Sequence, residues 1–198
     1  MKLMILATLM SMSFFAYGEM DTDMNNEKMQ ARNGINLMFN ETSEAKKWRT
    51  VNDGVMGGVS VGGMQQEKGF GVFSGVISLD NNGGFSSINR KLNDVTSSFN
   101  KASIDVKGDG QTYQLRLVTY VNGYQLAYKS EFETTAGARD TIIFDFQASF
   151  RGRLVTNAPK LRAENVREIV FLMTKKKPGP FRLEIHAVSL FEAPTFDV

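Results

Sequence analysis

From Ile35 onward, apolar and polar residues alternate in short runs that are interrupted by glycine, asparagine and aspartate. A period of two is the pattern of β-strands that bury one face and expose the other. The clearest runs are residues 70–79, 102–107, 112–120, 125–132, 141–146, 168–173 and 181–191. Many short strands with few helices are typical of sandwiches and barrels, so the sequence predicts an all-β fold.

The breaks between the runs have the composition of tight turns. Residues 81–84 (Asn-Asn-Gly-Gly) and 108–110 (Gly-Asp-Gly) supply the positive φ angles that such turns require. Residues 122–123 (Asn-Gly) separate two strand-like runs and predict a β-hairpin. Helical pattern is limited to residues 41–47 and a turn near residues 94–99.

The N-terminus differs from the rest of the chain. Lys2 is followed by an apolar stretch that ends at small residues around position 18, which is the form of a signal peptide. We therefore predict a signal peptide at residues 1–18, a flexible polar leader at residues 19–34 and one β-sandwich domain at residues 35–198. The protein is then exported, to the periplasm or the medium, and has no stable membrane span after cleavage. The alternative is that residues 1–18 remain as an uncleaved membrane anchor, although the apolar stretch is short for a span.

Charge and cysteine content exclude several classes of function. Removal of residues 1–18 takes away Lys2 and no acid, so 23 basic residues become 22 against 21 acidic ones, a net charge of +1. Proteins that bind nucleic acid through its phosphates show a clear basic excess, so we expect no nucleic-acid partner. The absence of cysteine excludes disulfides, thiol nucleophiles and cysteine-ligated zinc. We expect no cofactor.

The single histidine, His186, does not indicate catalysis. Alternation places Phe181, Leu183, Ile185 and Ala187 on one strand face and His186 on the other, at the surface. A serine or threonine nucleophile needs a base that is held by a third group, and no such group is signalled. We therefore expect a protein that is not an enzyme.

Glycines at positions 57, 58, 62 and 63 resemble a phosphate-binding loop in composition only. A nucleotide-binding loop leads from a strand into a helix whose N-terminus faces the phosphate. Here the glycines lead into more strand pattern, so bulges and close contacts between sheets explain them better.

Two acidic residues, Asp53 and Asp109, lie in glycine-flanked turns. Paired carboxylates facing one cleft would suggest glycoside hydrolysis, and the alternative is that each carboxylate bonds nearby backbone amides and stabilises its own loop. We favour the second interpretation. No acidic loop has the ligand spacing of a calcium site, so no metal site is predicted.

Three tyrosines, Tyr120, Tyr124 and Tyr128, cluster in sequence around the predicted hairpin turn. Exposed aromatic rings stack on sugars or on apolar groups of a partner at low entropic cost. The alternative is that these rings cover one end of the core. Trp48, the only tryptophan, is expected inside the core.

Residues 48–60, Trp-Arg-Thr-Val-Asn-Asp-Gly-Val-Met-Gly-Gly-Val-Ser, resemble the signature of the complex I intermediate-associated protein 30 family. The similarity continues in order and covers about residues 37–191. Its further segments are residues 73–75, 82–87, Arg90, 106–113, 150–153 and 179–185.

This resemblance implies a galactose-binding-like jelly-roll β-sandwich and a binding scaffold without established catalytic residues. If the sandwich gathers the glycine-rich loops at one end, we expect a ligand or partner site there with Asn52, Asp53, Met56, Arg90 and Asp109. The alternative is that Arg90 pairs with an aspartate and locks the loops. The function expected is a non-enzymatic binding or assembly factor with a protein partner, an assembly intermediate. A carbohydrate-binding module that takes a glycan is the second interpretation.

Overall fold

The computed structural model describes residues 34–40, 42–93, 95–121, 123–174 and 177–193. The predicted signal peptide and leader lie outside these residues, apart from position 34. Two antiparallel sheets, one 6-stranded and one 7-stranded, pack face to face. The prediction of an all-β sandwich is confirmed.

The strands are β1 (Ile35–Met38), β2 (Trp48–Asn52), β3 (Val61–Glu67), β4 (Phe70–Ile77), β5 (Phe85–Lys91), β6 (Lys101–Lys107), β7 (Thr112–Val121), β8 (Tyr124–Glu133), β9 (Arg139–Phe144), β10 (Gln147–Phe150), β11 (Arg153–Leu154), β12 (Val166–Thr174) and β13 (Gly179–Phe191). One short helix, α1 (Thr42–Ala45), lies within the predicted helical segment. Sheet A has the order β3-β4-β13-β6-β9, with β1 also pairing β13. Sheet B has the order β11-β10-β8-β7-β12-β5-β2.

The core lies between the sheets and is built by strict alternation. In β6, Ala102, Ile104 and Val106 are buried, whereas the residues between them are partly exposed. Trp48 is buried as expected, with its ring 5.7 Å from the ring of Phe39 and 5.6 Å from that of Phe171. These tilted ring contacts tie β2 at the edge of sheet B to the centre of the sandwich.

A β-bulge in β13 overturns part of the predicted alternation. The register with β6 shifts between Ile185 and Ala187, so that His186 is the extra residue. The inward positions after the bulge are Val188 and Leu190, and the prediction that Ala187 faces the core was wrong. His186 is partly buried, with its ring 5.1 Å from that of Phe70. Burial lowers the pKa of His186.

The helical turn predicted near residues 94–99 was also wrong, because residues 95–99 contain no helix. Position 94 itself lies outside the described residues. Phe99 is buried in the core, so the segment just before β6 supplies an apolar anchor. Within the described part of the chain, no helix has the length and hydropathy that a transmembrane span requires.

Strand direction brings several connections to one end of the sandwich, which we call the loop end. Segments 53–60, 78–84, 108–111 and 134–138 each join one sheet to the other there. The β7–β8 hairpin lies at the opposite end, because β7 runs away from the loop end. Antiparallel pairing thus gathers loops that are far apart in the chain.

Glycines allow the edge strand β3 to lie close against its neighbours. A Cβ on Gly75 would lie 2.1 Å from the carbonyl oxygen of Val61, and one on Gly62 would lie 2.2 Å from Oγ of Ser86. These distances are far inside van der Waals contact. The glycines of this segment therefore serve close packing between strands and between sheets.

Gly75→Ala is expected to lower the free energy of unfolding by about 2–3 kcal/mol, because backbone atoms cannot move away from the new methyl group. Gly54→Ala is the control, since nothing lies within 4 Å of a Cβ at that position. Urea unfolding curves of both variants measure the difference. Equal midpoints for the two variants would show that the close approach is not required.

Candidate functional site

Asp53 holds the loop end together. It begins a short 3₁₀ turn (Asp53–Met56) after β2, and it is fully buried. Its Oδ1 accepts the backbone N–H of Ser60 at 2.9 Å, and its Oδ2 accepts those of Gly84 at 2.6 Å and Phe85 at 3.3 Å. The carboxylate therefore joins its own loop to the loop that precedes β5.

Glycine is required on both sides of this carboxylate. A Cβ on Gly58 would lie 2.4 Å from Cγ of Asp53, and one on Gly83 would lie 2.6 Å from its Oδ2. Burial alone would raise the pKa of Asp53, but hydrogen bonds from Ser60, Gly84 and Phe85 outweigh burial and hold the pKa below its ordinary value. Asp53 is thus an ionised group that is held by backbone donors of the protein itself.

Asn52 also joins separate strands at the loop end through its side chain. Asn52 donates from Nδ2 to the carbonyl of Gly62 at 3.2 Å, and its Oδ1 accepts from Oγ of Ser86 at 2.7 Å. The side chain therefore links β2 to β3 and β5. In this way the edge strands of the two sheets are connected.

Asp109 connects the β6–β7 loop to β13. Its carboxylate accepts the backbone N–H of Arg182 at 2.7 Å, the hydroxyl of Tyr113 at 3.0 Å and the amide Nε2 of Gln111 at 2.6 Å. Burial, and then the charge of Asp109, raise the pKa of Tyr113. Asp53 and Asp109 thus lie at the same end of the sandwich but bond to separate sets of partners.

An exposed apolar surface surrounds the Asp53 turn. We call it the apolar rim, and its side chains are between 38% and 74% exposed. Its members are Val55, Met56, Val59, Val61, Val76 and Leu79. Scattered apolar side chains at such exposure are common on protein surfaces. Only a group of them on one surface indicates an interaction site.

Hydrogen bonds between the loops hold the rim together. Oγ of Ser60 donates to the carbonyl of Ser78 at 3.1 Å and accepts its N–H at 3.0 Å, which brings the segments carrying Val59 and Leu79 side by side. Val61 and Val76 are direct partners in the β3–β4 pair.

A further bond closes the other side of the rim. Nδ2 of Asn81 donates to the carbonyl of Gly57 at 3.0 Å, so the loop before β5 lies against the turn that presents Val55 and Met56. The rim is therefore one surface built from two loops and an edge strand pair. Of its members, the sequence prediction named only Met56. The valines that lie among the glycines of residues 55–63 were the signal that could have predicted the rim.

The structure does not place Arg90 at the loop end. Arg90 lies near the far end of β5, where its Nε is 2.9 Å from Oε1 of Glu44. Nε1 of Trp48 donates to the same oxygen at 3.2 Å, and Nζ of Lys47 lies 3.1 Å from Oε2. The partner is thus a buried glutamate on α1 rather than an aspartate in the loops.

The three tyrosines do not form one surface. Tyr128 is buried, at 4% exposure, and its hydroxyl donates to the carbonyl of Pro159 at 2.7 Å. Tyr120 is 49% exposed and Tyr124 is 70% exposed. The register pairs Tyr120 with Gln125, so Tyr120 and Tyr124 occupy opposite faces of the hairpin. Residue 122 of the predicted turn lies outside the described residues, but the hairpin itself is confirmed.

Within the described segments, no group of three histidine, aspartate or glutamate side chains lies close enough to hold a metal ion. At the loop end, the rim offers apolar contact, and the carboxylates of Asp53 and Asp109 bond backbone amides beneath it. Such a surface is suited to holding a partner.

Asp53→Asn is expected to lower the free energy of unfolding at neutral pH by about 3 kcal/mol, because the new NH₂ group would face the N–H groups of Gly84 and Phe85. Asp145→Asn is the control, since that side chain is 90% exposed, and its change is expected to stay within about 0.5 kcal/mol. Chemical unfolding monitored by tryptophan fluorescence measures both.

The stabilisation by Asp53 is expected to depend on pH. Because its pKa is lowered in the folded state, the contribution is complete above the ordinary value of 3.8 and is lost as pH falls through the folded-state pKa. The stability difference between wild type and Asp53→Asn therefore narrows below about pH 4. A difference that stays constant down to acid unfolding would contradict this assignment.

Arg90→Met is expected to lower the free energy of unfolding by about 3 kcal/mol, because it leaves the buried Glu44 carboxylate without its guanidinium partner. Arg49→Met, at an exposed position on β2, is the control and is expected to change little. Thermal unfolding compares the two. Unchanged stability of Arg90→Met together with lost partner binding would instead assign Arg90 a role in recognition.

Two comparisons with solved structures describe the fold. A family 11 carbohydrate-binding module from Clostridium thermocellum, in complex with a β-1,3-1,4-mixed-linked tetrasaccharide, has a TM-score of 0.60 and 16% identity over 82% of this chain and 98% of that chain. The family 11 module of the cellulosomal cellulase Lic26A-Cel5E of Clostridium thermocellum has the same TM-score and identity, over 83% and 98%. These likenesses show the jelly-roll β-sandwich fold.

Comparison with curated proteins gives no match. The sequence profile of the complex I intermediate-associated protein 30 family matches residues 37–185, which contain both the Asp53 turn and the β6–β7 loop. The resemblance carried by residues 48–60 is thereby confirmed. This chain belongs to the complex I intermediate-associated protein 30 family.

Proposed function

We propose that this protein is an exported, non-enzymatic binding protein that holds a protein partner, in the manner of an assembly factor, on the apolar rim. The observation that carries the proposal is the grouping of six large apolar side chains, each at least 38% exposed, around the buried Asp53 carboxylate. Contiguous exposed apolar surface is a mark of interaction sites in soluble proteins.

The shape of the rim is suited to recognition because its backbone is fixed before a partner arrives. Asp53 accepts three backbone amides, and Ser60 and Asn81 add bonds between the loops. A surface that is ordered in the free protein loses less conformational entropy on binding. A backbone that is already fixed therefore lowers the entropic cost of binding at the rim.

Met56 gives the fixed loop an adaptable contact. Its side chain is 67% exposed at the end of the Asp53 turn. An unbranched thioether side chain adjusts to irregular apolar surfaces. We expect a partner that is not yet fully assembled to present such a surface. Membership of a family named for association with an assembly intermediate supports the same kind of partner.

Site-specific photo-crosslinking in the native host tests the proposal. A photoreactive amino acid at position 56 is expected to give one discrete crosslinked product in the exported fraction, identified by mass spectrometry. Position 143 is the control, because Ile143 is 65% exposed on β9, away from the rim. The product is expected to disappear when Val55 and Val59 are both replaced by serine, because each replacement removes an apolar contact from the rim.

The design separates a specific partner from general stickiness. Equal crosslinking from positions 56 and 143 would contradict a rim-specific partner, and so would a product that survives the double serine variant. No product from position 56, with the protein present and folded, would also count against the proposal. The serine substitutions lie at exposed positions, so the fold is expected to be retained.

A further inference from the structure

The outer face of sheet B carries polar side chains in registered rows. In one row Arg116 of β7 stands opposite Lys129 of β8 and opposite Val170 of β12, which itself pairs with Asn89 of β5. The next row places Gln114 between Glu131 and Leu172. These residues alternate with the core-facing positions of the same strands and therefore point away from the core.

Hydrogen bonds fix the planar groups of these rows. Nε and Nη2 of Arg116 donate to Oε1 of Gln114 at 3.0 and 2.5 Å, and Nε2 of Gln114 donates to Oε1 of Glu131 at 2.9 Å. On the neighbouring strands, Nδ2 of Asn89 donates to Oε2 of Glu168 at 3.3 Å. Guanidinium, amide and carboxylate groups are thus held in fixed positions by hydrogen bonds to one another on this face of the sheet.

Apolar side chains lie between the polar ones. Val118, Val170 and Leu172 occupy the same outer face, at no more than 8% exposure. Tyr120 follows Val118 on this face of β7, and its ring is 49% exposed. The face therefore combines a low apolar floor, fixed donors and acceptors, and one free aromatic ring.

A pocket of about 420 Å³ adjoins these rows. It is lined by Lys129, Ser130, Glu131, Asp145, Gln147 and Leu154. The charges near it are balanced: Lys129 lies 4.0 Å from Glu131, and Asp145 pairs with Lys101. Burial lowers the pKa of Arg116, and the negative charge of the nearby Glu131 carboxylate offsets part of that shift.

We infer that the outer face of sheet B binds a neutral glycan, with Arg116, Gln114 and Glu131 bonding its hydroxyl groups and the ring of Tyr120 stacking on a sugar. Sugar hydroxyls both donate and accept, which matches a face that offers both kinds of group in fixed planes. The apolar face of a sugar ring is matched by the ring of Tyr120, which is 49% exposed, whereas the valine and leucine side chains lie buried beneath the polar groups. The charged groups that line the pocket pair with opposite charges, which favours a neutral ligand there over an acidic one.

This inference is independent of the apolar rim and differs from the tyrosine cluster considered from the sequence. Only Tyr120 belongs to the proposed site. Tyr124 lies on the other face of the same hairpin and is more exposed, which makes it a matched control.

Native affinity electrophoresis of the full chain, purified after expression, tests the inference. The gels contain soluble β-glucan, xylan, mannan or polygalacturonate. At least one neutral polysaccharide is expected to retard the protein, and Tyr120→Ala and Arg116→Gln are each expected to weaken binding about tenfold. Tyr124→Ala is expected to bind as the wild type does.

Several results would overturn the inference. These are no retardation by any neutral polysaccharide, retardation by polygalacturonate alone, or equal loss from Tyr124→Ala and Tyr120→Ala. Thermal unfolding checks whether Arg116→Gln is folded. If that variant does not fold, Tyr120→Ala still tests the inference, because its substitution lies at an exposed position. The double variant Val55→Ser and Val59→Ser is expected to leave glycan binding intact, so failure here and failure of the rim proposal are distinguishable.

Discussion

The buried carboxylate of Asp53 is the contact on which the loop end depends. It accepts backbone amides from its own loop and from the loop before β5, and each of these loops joins one sheet to the other. A buried charge is costly unless it is fully hydrogen-bonded, and here backbone donors satisfy it. Because those donors cannot be replaced by side-chain substitution, the carboxylate fixes the path of both loops. Gly58 and Gly83 leave the space it needs.

Fixing these loops has a consequence for the surface. The turn that buries Asp53 must expose Val55 and Met56, since one side of a tight turn faces the core and the other faces water. Asp109 acts similarly one loop away, where its bond to the N–H of Arg182 joins the β6–β7 loop to β13. The loop end is therefore rigid in its polar interior and apolar at its surface, a combination suited to holding a partner.

The sheet faces follow a different principle. The core side is aromatic and aliphatic, with Tyr113 and Phe132 of sheet B in ring contact with Phe181 and Phe144 of sheet A. The outer side of sheet B is polar but not simply solvated, because Arg116 donates to Gln114 along β7 and Gln114 donates to Glu131 on the neighbouring strand. Such cross-strand networks order side chains that would otherwise be mobile, and this order makes the face capable of selective recognition.

Local sequence patterns were sufficient to predict the fold class, the seven strongest strands, the burial of Trp48 and the family, because period-two alternation, turn residues and the signature of residues 48–60 are all local features. They also indicated the loop-stabilising interpretation of the aspartates. Tertiary structure alone decided which distant residues meet. A single bulge at His186 reversed the alternation after it, strand register separated Tyr120 from Tyr124, and α1 placed Glu44 beside Arg90. Register and sheet order depend on contacts between segments far apart in the chain, and no local pattern encodes them.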